Sequence, residues 1–269
     1  MQVHYTDMNI IHNKYHIVRY GEFATNGNTK LFYSIFAGTL CLNDYRERNS
    51  TDCFLIATGA SVIWTIVEIY LHTSGTRVIK PMFIGLKSNP NMQLILPTAV
   101  GAILQGVQEG GVVTTIGLYY GDRIHHVSIL VRMHLFIAVV IANVWLRETN
   151  VGTNIVASKR QVNTTGSMLL ISAATAFDMM MLWKHPEHIY RQMAMLSVMV
   201  YICAWWTFVA WYRGFRSVEV HVKRDTRENE HQEYIIKPAT TNELFAVLGY
   251  DLLFEVGIAY LVFYNIFLI

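Results

Sequence analysis

The chain has too few charged residues to cover the surface of a soluble protein of its length. Only 15% of its 269 residues are Asp, Glu, Lys or Arg, whereas 53% are hydrophobic. A typical soluble domain carries about 25% charged residues. The mean hydropathy is +0.30, and the apolar residues cluster in runs. We therefore expect a multi-pass integral membrane protein, and we exclude a soluble globular domain and a disordered tail.

Cysteine and surplus positive charge are also scarce. Cys41, Cys53 and Cys203 are scattered without a C-x-x-C pair, which indicates neither a disulfide framework nor a thiolate metal site. The net charge is only +2 and no basic stripe is present, so nucleic acid is excluded as a partner. The first apolar run begins at Leu31 behind a polar stretch, and we expect no cleavable signal peptide.

Apolar runs suited to a membrane span recur along the whole chain. A spanning helix needs about 20 mostly apolar residues. The clear candidates are 53–73, 92–119, 126–146, 166–183, 192–212 and 241–269. The segment 31–42 is apolar as well, but it is too short to cross alone. It is either part of an extended first helix or an interfacial segment.

Charge asymmetry bears on the number of spans. If 31–42 crosses, fifteen of the 21 Lys and Arg residues fall on one face and five on the other. The positive-inside rule then favours seven spans with that face cytoplasmic, while the shortness of 31–42 favours six. The predicted fold is an all-α polytopic membrane helix bundle of six to seven transmembrane helices. One bundle accounts for residues 1–269.

The loop 213–242 is the one sizeable segment predicted outside the membrane. Val218, Val220 and Val222 alternate with polar residues, which is a strand pattern. On the seven-span topology the loop is cytoplasmic. It is interpreted as a solvated β-hairpin or linker, with docking of a membrane-protein partner as the alternative.

Ionisable side chains inside the predicted spans are the main functional signal. A charged residue at the bilayer centre costs roughly 2.5–3.5 kcal/mol on insertion scales, so each one is a functional candidate. The predicted catalytic residues are Glu68, Glu109, Asp178, Asp251 and Glu255. The predicted substrate-binding residues are Trp64, His72, Gln105, Arg132 and Tyr250. Glu109, Arg132 and Asp178 fall at similar depths and could meet there, unless these polar groups act only as interhelical hydrogen bonds.

A second polar group lies in the two turns on the opposite face from the 213–242 loop. These turns carry His125, His126, His185 and His188, with Asp122 nearby. Imidazole and carboxylate groups are ligands for zinc or iron. We therefore keep a single metal ion as an alternative to a hydrated polar rim, although the predicted chemistry requires no cofactor. No H-E-x-x-H motif is present.

Carboxyl groups in an apolar cavity can hold a proton near neutral pH. The leading hypothesis is therefore an acid–base enzyme acting on a membrane lipid or another hydrophobic small molecule, with Glu68 or Glu109 as the acid. Asp251 or Asp178 is then the base or the charge stabiliser. The Trp-bearing span with its Glu, and the Asp in the last span, are loosely similar to small integral-membrane terpene cyclases. That similarity covers a few positions and no contiguous motif, so isoprenoid chemistry enters by analogy.

Two other functions fit the same residues. A proton- or cation-coupled transporter or channel would use the carboxyl groups as relay sites. A non-catalytic subunit of a membrane complex would use the 213–242 loop to dock. The last span has no lysine, which excludes a retinal Schiff base there, and the chain has no G-x-S-x-G, P-loop or T-V-G-Y-G motif.

Overall fold

The computed structural model describes residues 9–20, 26–73, 81–86, 90–146, 156–161, 165–226, 229–249 and 257–269. The chain is mostly helical, with two small sheets. The helices are α1 (Gly27–Arg48), α2 (Asp52–Thr73), α3 (Thr98–Gly106), α4 (Val113–Gly121), α5 (Val127–Trp145), α6 (Thr165–Lys184), α7 (Ile189–Tyr212), α8 (Thr241–Gly249) and α9 (Ala259–Leu268). The strands are β1 (Asn9–Tyr20), β2 (Phe83–Gly85), β3 (Gln93–Ile95), β4 (Val156–Gln161), β5 (Arg216–Thr226) and β6 (Asn229–Pro238).

Among the described residues, three helical segments are long and apolar enough to cross a membrane. They are Asp52–Tyr70, Val127–Trp145 and Pro186–Tyr212, and Ala259–Leu268 is a shorter apolar helix. By length and composition these three helices are candidate membrane spans, and the predicted total of six or seven is not confirmed.

The short apolar segment 31–42 belongs to a much longer helix. α1 begins after Asn26, whose side chain accepts a hydrogen bond from the backbone N–H of Thr29 at 3.3 Å. It ends at Asn49, which adopts a left-handed conformation with φ 51°. Polar residues inside α1, such as Lys30 and Asp44, are fully buried. Hydropathy alone underestimated this helix because polar residues, some of them buried, lie near both of its ends.

The second predicted span, 92–119, contains two kinds of helix. β3 and Pro97 precede α3, so the helix begins at Thr98 and not at Met92. A π-helical turn, Val107–Val112, then separates α3 from α4. π-Helical turns are rare and are frequent at functional sites.

The all-α prediction is wrong in one respect, because three separate segments form a four-stranded antiparallel sheet. The strand order is β4-β1-β5-β6. Val18 pairs with Lys159, Ile17 pairs with Val218, and β5 pairs with β6 along its whole length. The predicted hairpin in 213–242 is present. The polar N-terminal segment adds β1 to this hairpin, and the 147–165 loop adds β4. The alternating pattern in 213–242 gave no indication of these two strands.

The core lies between α1, α2, α4, α5, α7 and α9. Tyr264, Leu118, Ile56 and Cys53 are fully buried there. Large apolar side chains are exposed on the outer faces of the long helices, such as those of Ile66, Leu135, Leu169 and Phe208. Buried polar residues include Lys30, Asp44, Glu68, Gln105, Thr114, Asp178, Gln192 and Asn265. The interior thus combines an apolar core with buried polar groups, while the outer faces of the long helices are apolar.

Candidate functional site

Glycines bring α2 into close contact with the π-helical turn. A Cβ atom on Gly106 would lie 2.5 Å from the backbone nitrogen of Thr65, and one on Gly110 would lie 2.3 Å from the carbonyl oxygen of Ala60. Only a residue without a side chain fits at such an approach. The close approach at both glycines sets the position of Glu109 against α2.

Glu109 is held by hydrogen bonds to both of its carboxylate oxygens. The indole Nε1–H of Trp64 donates to Oε2 at 2.9 Å. The amide Nε2–H of Gln105, one helical turn away, donates to Oε1. Since both oxygens accept from N–H donors, this arrangement suits an ionised carboxylate better than a protonated acid. The structure thus brings together Trp64, Gln105 and Glu109, three of the predicted site residues.

Aromatic rings of α9 border this carboxylate. The ring of Tyr260 stacks on Trp64 with a centroid distance of 5.6 Å and an interplanar angle of 15°. Its hydroxyl donates to the backbone carbonyl oxygen of Glu109. Phe263 meets Trp64 edge to face at 6.0 Å. Glu109 therefore lies between a polar chain on one side and an aromatic wall on the other.

A buried lysine completes the polar chain. Lys30 on α1 is fully buried, and its ammonium group donates to the side-chain oxygens of Gln105 and, at 3.0 Å, of Gln108. Gln105 thus accepts from the ammonium group and donates to the carboxylate of Glu109. The positive charge of Lys30 balances the carboxylate through one oriented amide. We name Lys30, Gln105, Glu109, Trp64 and Tyr260 the Glu109 cluster.

Glu68 and His72 follow Trp64 along the same face of α2. The side chain of Glu68 is fully buried, one turn beyond Trp64, and His72 is half-buried near the end of the helix. Glu68 is thus inside the bundle, as expected for a candidate catalytic residue. The predicted site residues Tyr250, Asp251 and Glu255 lie outside the described residues.

Asp178, on α6, belongs to a separate polar group, which contacts α9 further along that helix. Asn265 donates to its Oδ1 at 2.8 Å, and Gln192 donates to the side-chain oxygen of Asn265 at 2.7 Å. All three side chains are buried. Asp178 is the one buried residue in the part of α6 whose side chains are described. We name Asp178, Asn265 and Gln192 the Asp178 triad.

The expectation that Arg132 meets Glu109 and Asp178 is wrong. Arg132 is exposed and lines a groove on the outer surface between α1 and α5. Periodicity fixes the face of a helix on which a residue lies, but the rotation of that face follows from packing. Here α5 turns Met133, Phe136 and Val140 inward, and Arg132 is consequently outside.

The rim of the bundle opposite the sheet is held by ion pairs. Asp122 accepts from Arg48 at 2.7 Å and from Arg191 at 2.7 and 2.8 Å. Arg123 pairs with Asp44 at 2.7 Å. Burial acts to lower the pKa of Arg123, but its hydrogen bonds to Asp44 and Glu47 raise the pKa above the usual value, so it stays charged. These ion pairs join α1, α7 and the turn between α4 and α5.

The metal hypothesis for the rim histidines gains no support from the geometry. Among the described residues, no group of three or more His, Cys, Asp or Glu side chains is placed to hold a metal ion. His125 and His126 are exposed. His188 bonds the hydroxyl of Tyr264 at 2.8 Å, and His185 faces Glu187 at 3.3 Å. Asp122 is engaged by two arginines, so its carboxylate is already neutralised.

Several residues of the two polar groups were not identified from the sequence. The sequence pattern did not single out Lys30, Asn265, Gln192 or Tyr260 as site residues. An asparagine and a glutamine inside long apolar runs were the available signal, because an amide in hydrocarbon requires a partner. No known protein family, curated protein or solved structure matches this chain.

Proposed function

We propose that the chain is a seven-pass integral membrane protein. The pairing of β1 with β4 supports this number. β1 precedes α1, β4 follows α5, and the two strands pair, so an even number of crossings separates them. Counting α3 and α4 as one crossing, this requires α1 to cross along with α2 and α5. The pair α6 and α7 and then the segment containing α8 and α9 bring the total to seven.

The charge distribution agrees with this topology. Seven crossings leave β1, the 74–91 and 147–165 loops and the β5–β6 hairpin on one face, which then carries fourteen of the 21 Lys and Arg residues, not counting Lys30, which is buried in α1. The positive-inside rule makes that face cytoplasmic. The exposed apolar side chains of the long helices then face lipid, where they need no protein partner.

The topology can be tested by labelling single cysteines in sealed vesicles. In a variant without native cysteines, His12→Cys and Ser158→Cys should react with a membrane-impermeant maleimide from the same side. His126→Cys, in the turn between α4 and α5, should react from the other side. Labelling of His12→Cys and His126→Cys from one common side would exclude a crossing by α1.

We further propose that the Glu109 cluster is the acid–base site of an enzyme that acts on an apolar, lipid-type substrate. The observation that carries this proposal is the carboxylate of Glu109, fixed on a π-helical turn by Trp64 and Gln105 and bordered by aromatic rings. Because its two oxygens accept N–H bonds, we assign Glu109 as the base or the stabiliser of positive charge. This differs from the acid role expected from the sequence.

Each neighbour of Glu109 has a role in this proposal. Lys30 and Gln105 orient the carboxylate, and Trp64 both orients it and offers an aromatic face to the substrate. Aromatic faces stabilise nearby cationic centres through their quadrupole. A carboxylate beside such a face suits a substrate that develops positive charge or loses a proton. This is also the chemistry of the isoprenoid analogy.

Glu109→Gln is the decisive variant, because it keeps the size of the side chain and removes its charge. Membranes from cells producing the wild type should contain a lipid or isoprenoid product that is absent from the Glu109→Gln membranes when both are compared by mass spectrometry. Glu187→Gln, in the exposed rim pair with His185, is the matched control and should retain the product. Identical lipid profiles for wild type and Glu109→Gln would refute the proposal.

A proton- or cation-coupled transporter is the second candidate, favoured by the Asp178 triad. α9 carries Tyr260 against Glu109 and Asn265 against Asp178, and the two positions lie about 7.5 Å apart along the helix axis. Two carboxyl groups bordering one helix are suited to a relay. In proteoliposomes, a transporter would show ion or proton flux that Asp178→Asn abolishes, whereas the enzyme proposal expects no such flux.

A further inference from the structure

A groove on the outer surface between α1 and α5 has one polar end and an apolar floor. Its volume is about 490 Å³. Asn43, Tyr119 and Arg132 lie at the polar end, and Phe32, Phe36, Leu135 and Val139 line the apolar part. None of the residues of the Glu109 cluster lines this groove. The groove is therefore separate from the Glu109 cluster, and the proposed function assigns no role to it.

The floor of the groove is formed by packed aromatic rings. The ring of Phe36 stacks on Phe136 with a centroid distance of 4.7 Å and an interplanar angle of 3°, and Tyr33 meets Phe136 edge to face at 6.0 Å. Above this floor, Phe32 and Leu135 remain more than half exposed. Ligand sites are mostly apolar and largely formed before the ligand binds. An apolar surface of this kind therefore suits a hydrocarbon chain.

Arg132 gives the polar end a positive charge. Within the described part of the chain, no acidic side chain lies within ion-pair distance of its guanidinium group. Glu47 attracts Arg132 electrostatically, but its Oε2 atom accepts from Arg123 at 3.1 Å. Arginine offers five donors in a planar fork that matches a phosphate group. The exposed guanidinium therefore complements an anionic group placed at this end of the groove.

The groove is short enough to lie within one leaflet of a bilayer. Arg132 lies five residues after the start of α5, about 7.5 Å along the axis, and Val139 lies about 10 Å further. The hydrocarbon core of a bilayer is about 30 Å thick, so one leaflet contributes about 15 Å. Arg132 can thus extend its side chain to the headgroup region, while the apolar part of the groove follows the acyl chains.

We propose that this groove is a binding site for one glycerophospholipid. Its phosphate accepts hydrogen bonds from Arg132, and one acyl chain lies along Phe32, Phe36 and Val139. The combination of a cation and an apolar groove of this length selects a phosphate attached to a hydrocarbon chain. Free phosphate would satisfy Arg132 and leave the groove empty.

The proposal is tested on the full chain, purified in detergent and delipidated, by native mass spectrometry with added phosphatidylglycerol. The wild type should retain one lipid under conditions that strip the others. Arg132→Gln should weaken retention about tenfold, as expected for loss of a charge-assisted hydrogen bond. Arg132→Lys should recover part of it, and Val139→Trp should block the groove. Leu169→Trp, on the exposed face of α6, is the matched control and should retain the lipid.

The outcomes are distinct. Equal retention by wild type, Arg132→Gln and Val139→Trp would overturn the proposal. Loss in Arg132→Gln but not in Val139→Trp would also overturn it, because the phosphate would then bind without a chain in the groove. Displacement of the lipid by inorganic phosphate alone would have the same meaning. Glu109→Gln should retain the lipid, so failure of the enzyme proposal and failure of this one are separable.

Discussion

The ion pairs of Asp122 give the most direct stability prediction. Asp122 is nearly buried, with 4% of its side chain exposed, and accepts three charge-assisted bonds from Arg48 and Arg191. Asp122→Asn keeps the shape but presents an amide N–H₂ group to one of the two guanidinium groups. Replacement thus removes a buried negative charge while both positive charges remain.

The size of the effect follows from the alternative partners of the two arginines. Removing one member of a buried ion pair costs about 3–5 kcal/mol. Arg48 retains Asp44 at 3.0 Å, and Arg191 retains Asp52 at 2.6 Å. These remaining carboxylates compensate part of the lost interaction energy. We expect Asp122→Asn to lower the free energy of unfolding by about 2–4 kcal/mol.

Unfolding in mixed micelles with increasing denaturing detergent provides the assay. The exposed variant Glu187→Gln, on the same rim, should leave the midpoint unchanged. A double-mutant cycle of Asp122→Ala with Arg191→Met should show a coupling energy above about 1 kcal/mol, since the two side chains share two hydrogen bonds. A loss below about 1 kcal/mol in Asp122→Asn, with no coupling, would refute the assignment of Asp122 as the centre of this ion-pair group.

Two further variants test the helix packing around the site. Gly110→Ala should lower the free energy of unfolding by about 1–3 kcal/mol, because its Cβ atom would lie 2.3 Å from the carbonyl oxygen of Ala60. Gly38→Ala, whose Cβ atom would meet nothing within 4 Å, should leave it unchanged or raise it in the same detergent titration; equal losses in both would contradict the close approach. Asn265→Leu should cost about 1–3 kcal/mol, because it removes the donor to buried Asp178. The double variant Asn265→Leu with Asp178→Leu should recover part of this loss, and a larger loss in the double variant would count against the Asp178 triad.

The sequence predicted the class of the protein and the burial of several functional candidates. Low charge and long apolar runs indicate a membrane protein whatever the tertiary arrangement. The free-energy cost of placing a segment in lipid depends mainly on its composition. For the same reason an ionisable residue inside such a run is expected to turn away from lipid, although Arg132 does not. Glu68 and Asp178 were identified in this way, and both are buried.

Only the tertiary structure decided which of these residues meet. Helical spacing placed Glu109, Arg132 and Asp178 at similar depths, but rotation of each helix about its axis is fixed by packing. Glycines at positions 106 and 110 admit α2 to the π-helical turn and bring Trp64 to Glu109, while large apolar residues of α5 occupy the core and leave Arg132 outside. The addition of β1 and β4 to the β5–β6 hairpin was equally hidden, because these strands come from segments far apart in the chain and such pairing leaves no local periodic signal.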